Sequence, residues 1–301
     1  MATSLLPPAP FGRVLTAMVT PFAPDGSLDL DGAAAVASYL ADHGHDGLVL
    51  SGTTGESPTT TVAEDGELLR AVVDAVGERV QVVAGVGTNA TAHSLELTEQ
   101  AAKLGAAGVM VVTPYYSKPS QGGVLAHFRA VAQATELPVM LYDVPGRTGL
   151  RIGWETYAAA AEIDNVVAVK EAVGDVPQGV RLVRELGYAL YSGDDVSNLT
   201  WLAHGAAGLI SVVGHVAGDQ HRALVDAVDA GDLGTAQRVY HSLLPAIDAI
   251  MGAANYGATT AKAALELAGV LDNRRVRLPL MELDDHEVAV LRTSLEKAAL
   301  L

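Results

Sequence analysis

Five of the 301 residues are lysine, and one of the five has surroundings unlike the others. Lys103, Lys262 and Lys297 lie in amphipathic helical patterns, where a solvated ammonium on an apolar stem is the expected state, and Lys118 falls in a loop. Lys170 follows directly on the apolar run Val166–Val169. Desolvation at such a place disfavours the cation and draws the pKa toward neutrality. A neutral, buried amine is what imine formation with a keto compound requires, while a buried ion pair with Glu171 or another acid is the alternative. Other residues suit the same chemistry. Gly52-Thr53-Thr54-Gly55 offers hydroxyls and backbone N–H groups in a tight turn that fits a small carboxylate, or is an ordinary turn whose threonine caps the next helix. Tyr116 and Tyr142 supply phenols for proton relay, or serve packing. Arg147, after Pro145-Gly146, carries the planar fork that clamps a second carboxylate, or makes a rim salt bridge. The Asp194-Asp195 pair has no matching His or Glu motif for a metal and reads as turn and helix-start residues.

These groups need elements that bring them to one place. Apolar, β-branched runs recur at Leu15–Pro21, Gly47–Ser51, Val80–Gly85, Gly108–Thr113, Pro138–Asp143, Val166–Lys170, Tyr188–Ser192 and Gly208–Val213. Most are continuously apolar rather than alternating, as for parallel strands covered on both faces. Amphipathic stretches separate them: in residues 122–136, Val124, Leu125, Phe128, Val131 and Ala132 share one helical face. Eight β–α units predict an α/β fold, a closed (β/α)8 TIM barrel. An open nucleotide-binding sheet would carry a glycine-rich loop after its first strand, and TPFAPDGSLD has none. Past residue 218 the pattern is helical only. The expected organisation is therefore a barrel over 1–218 carrying the active site, with C-terminal helices over 219–301 packed on it. In such barrels, chemistry sits where the strands end, and every candidate above falls there. His43 and His45 precede the second strand and fall on the opposite, stabilising face.

Composition excludes several classes of function. There are 19 Lys and Arg against 35 Asp and Glu, a net charge of −16, which leaves no basic footprint for nucleic acid or anionic lipid. The absence of cysteine removes disulfides, thiolate metal sites and a cysteine nucleophile. With 50% hydrophobic and 18% charged residues the chain can bury a large core. No apolar run has the length of a membrane span, and the N-terminal MATSLLPPAPFGRV lacks an uninterrupted apolar core. A cytoplasmic location is the expectation.

GTTGESPT (52–59), VTPYYSKPSQGG (112–123), LYDVPGRTG (141–149), VVAVKEA (166–172) and YSGDD (191–195) together resemble the 4-hydroxy-tetrahydrodipicolinate synthase family, in its order and spacing. The resemblance covers nearly the whole chain. It implies that Lys170 forms a Schiff base with pyruvate and that Thr53 and Thr54 hold pyruvate's carboxylate. It further implies a proton relay of Tyr142, Thr54 and Tyr116, the last entering from a neighbouring subunit. By the same resemblance Arg147 receives the carboxylate of aspartate 4-semialdehyde, and Gly193 and Ile210 line the pocket through their backbone. The implied assembly is a homotetramer, a dimer of dimers, and no metal or organic cofactor is needed. A sister pyruvate-dependent aldolase, acting on N-acetylneuraminate or a 2-keto-3-deoxy sugar acid, is the alternative. It resembles this sequence less at GRTG.

Some positions depart from the family pattern. Asp143 stands where many members have Asn, Gly146 occupies a variable position, and the segment 252–262 lacks prolines that many relatives carry. At the family's lysine-binding regulatory site, Asn89 and Tyr115 match, but a glutamate position is His93 and two histidine positions are Val62 and Asp65. Weak or absent inhibition by lysine is the expectation.

Overall fold

β1 (Val14–Ala17), β2 (Gly47–Leu50), β3 (Gln81–Gly85), β4 (Gly108–Val112), β5 (Val139–Asp143), β6 (Val166–Glu171), β7 (Ala189–Ser192) and β8 (Gly208–Ser211) pair in sequence order, all parallel. The ring closes where β1 pairs with β8. This computed structural model describes residues 8–253 and 257–301. The start of the N-terminal stretch and the middle of the 252–262 segment therefore lie outside the described residues. Each strand overlaps a run expected from the sequence, and β6 runs one residue further, to Glu171.

The continuous apolar runs have a direct cause. Along each strand, alternate side chains face the barrel interior and the helices outside. Val49, Met110, Met140 and Ala168 fill the interior, with Phe11 plugging the end opposite the mouth. Leu48, Leu50, Val109, Val111, Leu141 and Val169 pack against the helices. Both faces are dry, so both must be apolar, and each fully buried Val or Leu stabilises by roughly 1.5–3 kcal/mol. At the mouth this alternation decides which groups meet. On β5 and β6, Tyr142 is the register partner of Lys170, and Asp143 of Glu171. Tyr142 continues the interior face with Met140, whereas Asp143 follows Leu141 outward.

The connecting helices are α1 (Leu30–Asp42), α2 (Val62–Val76), α3 (Thr91–Lys103), α4 (Gln121–Gln133), the single turn α5 (Pro145–Thr148), α6 (Trp154–Ala160), α7 (Val176–Leu186), α8 (Asn198–Ala203) and α9 (Gly214–Asp229). In α4 the buried face is Val124, His127, Phe128, Val131 and Ala132. The chain ends in α10 (Leu233–Met251), α11 (Ala258–Leu267) and α12 (Asp285–Lys297). α9 runs across the expected division at 218/219, with a kink at Ala217. Its Val216 joins Leu243 and Ile247 of α10 and Leu291 and Leu295 of α12 in a separate apolar cluster. Among the described residues, no helix is long and apolar enough to cross a membrane.

One lysine contradicts its expectation. Lys262 on α11 is not solvated: it is fully buried, its Nζ donating to Glu56 Oε1 (2.5 Å) and to the Arg275 carbonyl (2.7 Å). The helical pattern ATTAKAALEL disguised this, because almost the whole helix is buried. Histidines 43 and 45 lie ahead of β2, as expected. His45 is buried, its Nε2 2.7 Å from the Thr16 hydroxyl, and burial lowers its pKa to about 4.

Candidate active site

The strand ends surround a cavity of about 580 Å³ lined by Thr53, Thr54, Tyr142, Arg147, Lys170 and Gly193, among others. Lys170 projects from β6 into it with 5% of its surface exposed. Burial lowers its pKa to about 8, Asp195 working against the shift and Arg147 with it. Its Nζ lies 4.4 Å from the centre of the Tyr142 ring, which the β5–β6 register places beside it. Gly193 gives the lysine stem its room: a Cβ there would come within 2.8 Å of the Glu171 carbonyl and 3.0 Å of Lys170 Cγ. The Gly193 N–H also donates to the Glu171 carbonyl (2.7 Å), so β7 is fastened to β6 just beyond the lysine.

The GTTGE turn follows β2. Thr54 is buried and Thr53 exposed, and both line the cavity. The turn is tied from three directions. The Thr20 hydroxyl donates to the Gly55 carbonyl (2.6 Å), the Glu56 N–H to Thr53 O (3.1 Å) and the Ser57 N–H to Gly52 O (3.3 Å). Glu56 has φ +58°, a conformation unusual for a non-glycine residue. Its buried carboxylate takes the Lys262 ammonium on one oxygen and the Arg277 N–H (2.9 Å) on the other. The C-terminal extension therefore holds the hydroxyl-bearing turn in place.

Arg147 sits on α5, whose turn is fixed by the buried Thr148 and by Gly149 at φ +71°. It borders the main cavity and an adjoining one of about 220 Å³, which Tyr115 also lines. Tyr116 lies apart from both. It is 89% exposed and has φ +70°, a strained conformation for an aromatic residue. Ile210 is buried on β8 in the barrel interior, and Val212 is the cavity-lining residue at that strand's end.

The Asp pair divides in two. Asp194 lines the cavity and accepts the Val196 N–H, as a turn residue should. Asp195 is buried and is more than a helix-start residue. It accepts from the Ser211 hydroxyl (2.5 Å), the Asn198 amide (2.9 Å) and the N–H groups of Val212 (2.8 Å) and Val213 (3.0 Å). Burial opposes its ionisation, but His221 and these donors hold its pKa at about 2. Its negative charge is felt at Lys170, where it opposes the lowering by burial. Sequence reasoning missed Ile247, Asp248 and Met251 of α10, which also line the cavity. Nothing in their spacing separates them from an ordinary helix face. Among the described residues no group of three or more His, Asp or Glu side chains is placed to hold a metal ion.

The fold and site define a class: a closed parallel (β/α)8 barrel whose mouth gathers one buried lysine, a phenol, two threonines and an arginine. The dihydrodipicolinate synthetase family model matches residues 10–298, and the chain belongs to that family. It is 55% identical to the 4-hydroxy-tetrahydrodipicolinate synthase of Kineococcus radiotolerans, over 99% of this chain and 97% of that one. Among solved structures, dihydrodipicolinate synthase from Bacillus anthracis superposes with a TM-score of 0.91 at 41% identity, covering 95% of this chain and 98% of the other. The synthase from Cyanidioschyzon merolae, solved with lysine bound, gives a TM-score of 0.92 at 41% identity, covering 97% and 99%.

Proposed function

We propose that this chain is a 4-hydroxy-tetrahydrodipicolinate synthase that condenses pyruvate with L-aspartate 4-semialdehyde in the diaminopimelate route to lysine. The observation that carries the reading is Lys170, desolvated to a pKa of about 8 at the mouth of a barrel of this family. At pH 7 roughly a tenth of such an amine is neutral, against about one in 3,000 for an ordinary lysine near 10.5.

In this reading the neutral Lys170 amine adds to the pyruvate ketone, and loss of water gives a protonated imine. The imine draws electrons from the adjacent methyl group, a proton leaves, and an enamine forms. Its carbon attacks the semialdehyde's carbonyl, making the new C–C bond. The semialdehyde's own amine then displaces Lys170 from the imine carbon, closing a six-membered ring with two carboxylates and freeing the enzyme. The lysine is itself the electron sink, so the proposal calls for no metal or organic cofactor.

Thr53 and Thr54 are assigned to pyruvate's carboxylate, supported by their place on the tied GTTGE turn beside the cavity. Arg147 is assigned to the semialdehyde's carboxylate, and the backbone of Gly193 and Ile210 to the pocket. Tyr142, Thr54 and Tyr116 form the relay. The exposure and strain of Tyr116 support the view that it completes a neighbouring subunit's site, in a homotetramer built as a dimer of dimers. The same reading divides the chain into a catalytic barrel of 1–218 and a packing unit of 219–301, and places the enzyme in the cytoplasm. Incubating the purified protein with both substrates should consume them one to one and yield the cyclic product. No turnover, together with cleavage of N-acetylneuraminate or a 2-keto-3-deoxy sugar acid, would overturn the assignment in favour of a sister aldolase.

A further inference from the structure

One residue beyond Tyr142 and Lys170, β5 and β6 carry two acids side by side. Asp143 and Glu171 are register partners on neighbouring strands, which lie about 4.8 Å apart, so their side chains leave the same face of the sheet together. Both are buried, at 0% and 3% exposure, between the barrel and the helices that cover it. Each is satisfied on one oxygen. Asp143 Oδ2 accepts the Tyr157 hydroxyl (3.0 Å) and the Ile152 N–H (3.1 Å). Glu171 Oε1 accepts the N–H groups of Val173 (3.0 Å), Gly174 (2.9 Å) and Asp175 (3.4 Å). Each is also orphaned on the other oxygen: Asp143 Oδ1 and Glu171 Oε2 are buried and have no hydrogen-bond partner among the described residues.

Two ionised carboxylates in this arrangement would leave two buried acceptors without donors and put two negative charges on adjacent strands of one sheet face. Each unsatisfied buried group costs about 1–3 kcal/mol, and more when charged. A single proton removes both penalties, because one acid then donates to the other's free oxygen in a strong O–H···O⁻ hydrogen bond. We propose that Asp143 and Glu171 share one proton in the folded protein, and that this bond clips together the strand ends from which Tyr142 and Lys170 project. They are positioning residues: neither lines the cavity, and they act through the strands that carry the reacting groups.

The surroundings agree. Burial is the leading cause that raises Asp143 to about 6 and Glu171 to about 7, and the charge of Asp143 adds to the rise of Glu171. The titratable and charged groups facing the pair are Tyr157 on α6, Tyr188 ahead of β7, and Arg151 and Asp175 from the flanking loops. Tyr157 is held well above its ordinary range by burial and by Asp143, so it stays a donor. Arg151 is engaged by Asp175 (2.6 Å), with both partners partly exposed, and so offers the pair only a screened positive charge. The proton belongs to the pair and titrates as a unit.

The positioning half of this inference rests on Lys170 being the imine-forming lysine, whereas the shared proton does not. Asp143→Asn supplies an amide N–H where the shared proton was, and Glu171→Gln supplies one from the other side. Each variant keeps the bond and makes it independent of pH. In matched potentiometric titrations between about pH 8.5 and 5.5, the wild type should take up about one more proton per chain than either variant. Equal uptake by all three would overturn the shared proton, whatever the enzyme does with pyruvate. Borohydride trapping of pyruvate then reads the positioning role. The ratio of variant to wild-type trapping rate should be near one at low pH and rise severalfold as the wild-type pair loses its proton. A ratio constant across that range, alongside the extra proton, would overturn the clip.

Discussion

At the scale of single residues, the site depends on unequal treatment of like groups. Lys170 and Lys262 are both buried and both lowered to about 8, chiefly by desolvation. Lys262 has a carboxylate at 2.5 Å and is committed to it. Lys170 has an aromatic face beside it and feels Asp195 only at a distance, so its nitrogen is left for chemistry. Arg147 has a different task in the proposed reaction, since it acts after the imine has formed. Arg147→Ala should leave pyruvate trapping largely intact while lowering kcat/KM for aspartate semialdehyde. Loss of a charge-assisted contact costs on the order of 1.5–3 kcal/mol, or roughly ten- to a hundredfold. Steady-state kinetics in parallel with trapping would check this. If trapping collapsed with turnover, the arginine would belong to the pyruvate site or to folding.

At the scale of elements, the eight strands were legible because both of their faces are buried, which forces continuous apolar runs such as GVMVV and VVAVK. The mouth residues were legible for the same reason: Lys170, Tyr142 and the GTTG turn are the polar interruptions at the ends of those runs. Lys262 was not legible, because its partner Glu56 lies 206 positions away and no helical period encodes such a contact. The α10 residues over the cavity were illegible on similar grounds, since their role exists only once the extension has folded back. The Glu56–Lys262 pair gives the element scale its prediction. Removing one partner of a fully buried ion pair leaves the other uncompensated and costs roughly 3–5 kcal/mol. Glu56→Ala should therefore destabilise by about that much, read from urea unfolding, and should weaken pyruvate capture by loosening the threonine turn. A Glu56→Ala protein of unchanged stability would show that the extension does not brace the site through this contact.

At the scale of the whole molecule, the proposed relay is unfinished within one chain, because Tyr116 is exposed and lines neither cavity at the mouth. Tyr116→Phe should lower activity with little change in fold by circular dichroism, and dilution to monomer should abolish turnover. A monomer with full specific activity would contradict the shared site. Regulation by the end product is expected to be weak. A lysine ammonium needs a counter-charge, and Asp65, the acid at one of the matching positions, already accepts from Ser51 (2.8 Å) and Thr60 (2.9 Å). A charged hydrogen bond lost in this way is worth about 1.5–3 kcal/mol. Titrating lysine into the millimolar range at pH 8 should leave most of the activity, and strong inhibition at submillimolar lysine would show that the site survives its substitutions.

The central claim is that Lys170 is the imine-forming amine, and it is tested most directly by trapping with pyruvate and borohydride followed by peptide mass spectrometry. The account predicts a single adduct, on Lys170, absent from Lys170→Ala. Its rate should climb as pH rises through about 8, where the lowered amine loses its proton, and level off above that. An adduct on Lys118, or an undiminished adduct in Lys170→Ala, would contradict it.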